Sequence, residues 1–181
     1  MRLRHRTFSP LLLAALAVVL LVQTGVTRGQ VKHYNPPRQA PEFNLPGLDG
    51  QKHALSDYRG RVLVLSAWAS WCMPCREELP EFARARDELA GRYPEAVFMT
   101  VNLGETGARA RSWMNKAGLD LPVLLATTKF LEKYGFMVVP SILVFDRDGR
   151  LAVLRSGWTP GMDLAEELSR DLTSLGKRAA R

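Results

Sequence analysis

The chain of 181 residues predicts an α/β domain built as a three-layer sandwich, with a mixed central β-sheet flanked by helices. Three observations carry that reading. Apolar runs of strand length alternate with segments of helical spacing, the mark of strand–helix–strand units. The series ends on a hairpin and a helix, with Ser141–Phe145 and Leu151–Arg155 flanking the turn residues Asp146-Arg147-Asp148-Gly149, which makes the sheet mixed. One run, Arg61–Ala67, is so uniformly hydrophobic that it suits a strand covered on both faces rather than a sheet edge.

The N-terminus is read apart from that domain. Met1–Arg6 carries Arg2, Arg4 and Arg6 with no acid, and Leu11–Val22 is twelve uninterrupted apolar residues, the two parts of an export signal. A spanning helix needs about 20 apolar residues, and Phe8–Val26 reaches that length only with Pro10, Gln23, Thr24 and Gly25 inside it. Cleavage after Gly29 would leave the domain free in the periplasm, but no Ala-x-Ala stands there. The expectation is therefore a signal anchor over residues 1–29, its arginines in the cytoplasm and the domain outside. Residues 30–41, with Asn35-Pro36-Pro37 and Pro41, read as a linker, 42–176 as the domain and 177–181 as a basic tail.

Within the domain, Phe43-Asn44-Leu45 and His53-Ala54-Leu55 suggest a small hairpin through Asp49-Gly50. After the Arg61–Ala67 strand, Leu79, Phe82, Ala83, Leu89 and Ala90 recur at roughly helical spacing over Met73–Gly91. Ala96–Val101 is the next strand, Arg109–Ala117 a helix, Pro122–Leu125 a short strand and Lys129–Tyr134 another helix. Leu164, Leu168, Leu172 and Leu175 make the closing helix amphipathic.

The formal net charge of +7 is a matter of topology rather than of ligand. Residues 1–29 hold four basic residues and no acid, and Lys177, Arg178 and Arg181 add three, so the remainder balances 18 basic against 18 acidic residues. No Lys/Arg stripe suits a phosphate backbone, which excludes nucleic acid as a partner.

The only two cysteines lie three residues apart in Trp71-Cys72-Met73-Pro74-Cys75. A structural zinc site wants four ligands, and His5, His33 and His53 all lie far from the motif, so no metal is expected. A dithiol that cycles with a disulfide needs only the two sulfurs, and no cofactor beyond a Cys72–Cys75 disulfide is called for. Cys72 sits where the strand ends and the helix begins, so unpaired N–H groups and the helix dipole favour its thiolate. It is the expected attacking sulfur, with Cys75, one turn further in, resolving the mixed disulfide. Pro74 fits the first helical turn and also shapes the motif; Trp71 is a candidate for shaping access to Cys72.

Glu78 lies three residues after Cys75 and six after Cys72 and shares their helix face, while Glu77 turns away. Buried there, it would keep its proton near neutral pH and serve as acid and base for Cys75. The plainer alternative is two acids favouring a helix start. Glu105, after a strand end, is a second candidate acid near the site. Val139-Pro140-Ser141, opening the run Ile142–Phe145, reads locally as a strand breaker.

Ala40-Pro41-Glu42-Phe43, Leu48-Asp49-Gly50, Leu55–Gly60, Trp68–Cys75, Val101–Glu105 and Val139-Pro140-Ser141 occur in the order seen in thioredoxin-fold proteins of the TlpA/ResA type, which the chain resembles over residues 40–175. The resemblance implies a bacterial, extracytoplasmic, membrane-tethered thiol:disulfide oxidoreductase. It implies a protein-disulfide reductase of the cytochrome c maturation kind, with clients carrying disulfides or CxxC thiols, such as apocytochrome c, and a DsbD/CcdA-like thiol-electron donor in the membrane. It also implies a functional acid at Glu78 and a cis bond at Val139–Pro140, whose backbone would pair with a client strand. Ser66 stands where ordinary thioredoxins have a buried Asp, which makes a substitute acid the more plausible.

Two other classes of protein also use closely placed cysteines. A peroxidase of related fold needs a Thr three residues before its reactive Cys, where this chain has Ala69. A copper-binding or copper-site assembly module would use the two thiols as soft ligands, and that reading stays open.

Overall fold

The computed structural model describes residues 29–135 and 138–179. The expected signal anchor, residues 1–29, lies outside that range but for Gly29, and no helix among the described residues is long and apolar enough to cross a membrane. Among the described residues eight strands form, β1 (Gln30–Arg38), β2 (Asn44–Pro46), β3 (Lys52–Ala54), β4 (Val62–Trp68), β5 (Ala96–Leu103), β6 (Val123–Ala126), β7 (Ser141–Phe145) and β8 (Leu151–Ser156). The α-helices are α1 (Met73–Ala90), α2 (Gly107–Ala117) and α3 (Leu164–Ala179), and tight 3₁₀ turns span Leu55–Tyr58 and Thr128–Tyr134.

Six strands make one sheet in the order β1-β8-β7-β4-β5-β6, and β2 pairs with β3 in a separate hairpin. The neighbours β4, β5 and β6 are parallel, whereas β7, β8 and β1 add antiparallel pairings, so the sheet is mixed as expected. In β4 every residue is buried, because alternate side chains enter two different cores. Val62, Val64 and Trp68 meet Leu79, Phe82 and Leu89 of α1 and Leu168 and Leu172 of α3, while Leu63, Leu65 and Ala67 meet Phe43, Leu55, Phe130 and Tyr134 on the other face. Ser66 belongs by register to the α1 face, which puts one hydroxyl into that core beneath the helix.

The expected linker over 30–41 is corrected by β1. Gln30–His33 pair antiparallel with Val153–Ser156, and after an irregular stretch Arg38 pairs with Leu151. Pro36 and Pro37 lie in that stretch; a proline cannot donate to a ladder, but an edge strand needs donors on one side only, so the pair that reads as a breaker is tolerated here. At the other end the closing helix runs to Ala179, into the expected tail.

Candidate functional site

Cys72 is the N-cap of α1 and has extended backbone (φ −81°, ψ 107°), which turns the chain from the end of β4 into the helix. Met73 and Pro74 occupy the first helical positions, where the missing proline N–H costs nothing. Cys72 and Cys75 are joined as a disulfide with their Cα atoms 5.3 Å apart. The Cys75 N–H donates to Cys72 Sγ at 3.2 Å. That donor, with the free N–H groups of the first turn, is what would stabilise a thiolate at Cys72 once the bond opens.

Burial separates the sulfurs. Cys75 is 0% exposed, Cys72 is 5% exposed, and their neighbours Trp71 and Met73 stand out in solvent at 61% and 63%. A partner therefore meets Cys72 first, between two exposed apolar side chains, with Pro74 exposed beside them.

Glu78 is buried, as its helix position predicts, and Glu77 is exposed. Its Oε1 accepts a 2.9 Å hydrogen bond from Ser66 Oγ, the hydroxyl that β4 carries into this core. Burial in apolar surroundings pushes its pKa from 4.5 up to about 8, and the serine bond offsets only part of that. At neutral pH it is therefore an acid holding its proton on the same helix face as Cys75.

The Val139–Pro140 bond is cis, Pro140 is buried and Val139 is half-buried. The β4–β7 ladder pairs Ala67 with Ser141, so this turn is delivered to the sheet end from which the motif emerges. Val139 packs on the core cluster that includes Cys72 and Cys75, and Ser141 Oγ closes the turn by donating to the Val138 carbonyl at 2.7 Å. Val138 itself is 53% exposed.

Glu105 also reaches the motif. The parallel ladder pairs Trp68 with Asn102, so the turn after β5 lies beside the strand exit that leads to Cys72. Gly104 makes that turn at φ +73°, a conformation in which a side chain would be strained. Glu105 accepts hydrogen bonds from Ser70 N (2.7 Å), Ser70 Oγ (2.5 Å) and Asn102 Nδ2 (2.8 Å), and pairs with Arg109 Nε at 2.8 Å. Burial opposes its ionisation, but these donors and the Arg109 charge outweigh it and hold the carboxyl below its ordinary range. Sequence reading missed Ser70, Asn102, Arg76 and Arg109 as parts of this surround. Only the Asn102-x-x-Glu105 spacing hints at it, since a strand end followed by a tight turn brings the two together.

Among the described residues no group of three or more His, Cys, Asp or Glu side chains is placed to hold a metal ion. The chemistry on offer is that of the two sulfurs and the buried acid.

Residues 36–154 match the AhpC/TSA family. The chain belongs to that family. Its relatives include the thiol-disulfide oxidoreductase ResA of Geobacillus thermodenitrificans, 30% identical over 132 residues that cover 71% of this chain and 74% of that one. The thioredoxin-like protein YneN of Bacillus subtilis is 26% identical over 82% of this chain and 83% of its own length. Among solved structures, a Chlorobium tepidum protein assigned as thiol:disulfide interchange protein DsbE superposes with a TM-score of 0.67 at 28% identity, covering 77% of this chain and 96% of that one. The fold is thioredoxin-like, and the chain is a thiol-disulfide oxidoreductase of that fold with Cys72 and Cys75 as its CxxC pair.

Proposed function

We propose that the domain reduces protein disulfides outside the cytoplasmic membrane, in the manner of cytochrome c maturation reductases, with apocytochrome c as the client class and a membrane dithiol of the DsbD/CcdA kind as electron donor. The observation that carries the reading is the vertical arrangement of the site, with the less buried cysteine at a helix N-terminus between exposed Trp71 and Met73, its fully buried partner one turn below, and a protonated acid on the same face. The N-terminal arginines and the Leu11–Val22 run support the location, and the similarity to ResA supports the reaction class.

In the dithiol form the Cys72 thiolate attacks a client sulfur, forming a mixed disulfide and expelling the client's other sulfur as thiolate. Cys75 then gives its proton to Glu78 when that acid is ionised, and its thiolate attacks Cys72 Sγ. The second client thiolate leaves, the client has gained two electrons, and the domain holds the disulfide seen here. Recharging runs the other way. A donor thiolate attacks Cys72 Sγ, Cys75 departs, and Glu78 supplies the proton that makes it a good leaving group. A carboxyl titrating at about 8 is well matched to a thiol, whose ordinary pKa is about 8.5. Trp71, Met73, Val138 and the Val139–Pro140 turn form the apolar surround against which a client segment lies.

The test is a pair of trapping variants. Cys75→Ser accumulates mixed disulfides with a disulfide-bearing client through Cys72, and Cys72→Ser traps none; equal trapping by both overturns the assignment of the two sulfurs. A potential near that of thioredoxin, about −270 mV, is expected for a reductant, whereas a value near that of strong oxidants reverses the direction. Copper(I) titration of the reduced protein is the control for a metal-binding role of the same thiols.

A further inference from the structure

Ser70, two residues before Cys72, has every polar atom engaged. Its N–H and Oγ donate to Glu105, its Oγ also accepts from Arg109 Nε at 3.1 Å, and its carbonyl accepts from Arg76 Nε and Nη2 at 3.1 and 2.9 Å. The next turn is closed by Cys72 N–H donating to the Ala69 carbonyl at 3.1 Å. Trp68, Ala69 and Ser70 are all buried, so along this segment losing these partners leaves polar groups that water replaces poorly. Glu105, with a side chain only 5% exposed, takes four donor contacts on its two oxygens, an arrangement filled by N–H and O–H groups and fit for a carboxylate rather than a proton carrier.

We propose that Glu105 is a positioning residue for Cys72, clamping the Ser70 peptide so that the attacking sulfur is held at the N-terminus of α1. The proposal rests on Cys72 being the attacking sulfur. Hydrogen bonds to the thiolate weaken steeply with distance and angle, and a single residue, Trp71, separates the clamped peptide from Cys72. Releasing Ser70 lets Cys72 move away from the first-turn N–H groups and so makes its thiolate rarer. The charge of Glu105 acting through space does the opposite, because removing an anion favours a nearby thiolate. The charged groups facing Ser70 are Glu105 and Arg109 from the turn after β5 and α2, and Arg76 from α1. Position and charge thus predict opposite signs.

The measurement is the pH profile of Cys72 alkylation by iodoacetamide, between pH 5 and about 10 so as to span a perturbed and an ordinary thiol, in the full chain in detergent and on a Cys75→Ser background where one thiol remains. Glu105→Ala raises the Cys72 pKa by about one unit and slows alkylation at pH 7 about tenfold. Glu105→Gln keeps a carbonyl for the Ser70 N–H and stays within about threefold of the parent, since the exposed Arg109 swings away. Glu105→Asp keeps the charge but loses the reach, and behaves like Glu105→Ala; it carries the test if the alanine variant does not fold. A lowered pKa in Glu105→Ala, an unchanged Glu105→Asp, or a glutamine variant as slow as the alanine one overturns the proposal. An ordinary thiol pKa in the Cys75→Ser parent instead overturns the assignment of Cys72 itself, and the two failures are thereby told apart.

Discussion

Glu78 sits in the core at a cost to the fold, and that cost depends on pH. With a folded pKa of about 8 against an ordinary 4.5, the native state holds a proton that the unfolded chain releases throughout that interval. The stabilisation is complete below about pH 4.5 and is lost as pH rises through 8. A shift of this size corresponds to roughly 5 kcal/mol across the interval. Glu78→Gln keeps the Ser66 bond and the volume but has no proton to lose. Its stability is therefore expected to match the parent near pH 4 and to exceed it near pH 9 by the greater part of that difference, measured by urea unfolding at both values. The same variant is expected to slow resolution by Cys75 about 100-fold, the low end of general acid–base contributions, while Glu77→Gln changes neither quantity. A Glu78→Gln protein with the parent's exchange rate at every pH returns Glu78 to the role of an ordinary helix acid.

At the scale of elements, α3 is bonded to the sheet by charge as well as by its leucines. Arg155 of β8 and Asp171 of α3 are both buried, and Nε and Nη2 reach Asp171 Oδ2 at 3.0 and 2.7 Å. Nη1 takes Glu167 at 3.0 Å, and His33 of β1 completes the set at 2.9 Å from Asp171 Oδ1. Asp171→Ala leaves a buried guanidinium with only Glu167, which is expected to cost about 3–5 kcal/mol, whereas replacing both partners as Arg155→Met with Asp171→Leu is expected to be nearly neutral. His33→Ala, at an exposed edge, is expected to cost no more than about 1 kcal/mol. A double variant as damaged as Asp171→Ala would mean that the pair contributes more than its own mutual neutralisation.

For the whole molecule, sheet order decides where the folded domain begins. Because β1 covers the edge of β8, a chain starting at Gly29 is expected to fold, stay soluble and exchange disulfides, whereas one starting at Gln39 uncovers β8 and loses His33 from Asp171. The shorter chain is expected to melt lower, by about 2–4 °C for each kcal/mol lost, and to associate through the bared strand as concentration rises. Equal melting temperatures for the two would reduce β1 to an ornament of the sheet. The topology also gathers the site. The ends of β4 and β5 and the start of β7 meet at one rim of the sheet, and the motif, the Glu105 turn and the Val139–Pro140 turn issue from those three places.

Relations inside one element were legible in the sequence because helix and strand geometry fix them locally. Cys72 at a helix start, Cys75 and Glu78 on one face, Glu77 on the other, and the Arg61–Ala67 run as a doubly covered strand, found at Val62–Trp68 with Arg61 exposed before it, follow from periods of 3.6 and 2. The alternation of elements likewise determined the mixed sandwich. What only the tertiary structure decided are pairings across register. Ser66 is brought to Glu78 twelve residues on, Glu105 to Ser70 across thirty-five, and His33 to Asp171 across 138. Pro36-Pro37 reads locally as a breaker, and becomes part of a strand only because β8 offers an edge on which one side of the backbone needs no donor. Such facts depend on which strands become neighbours, and local propensity carries no record of that.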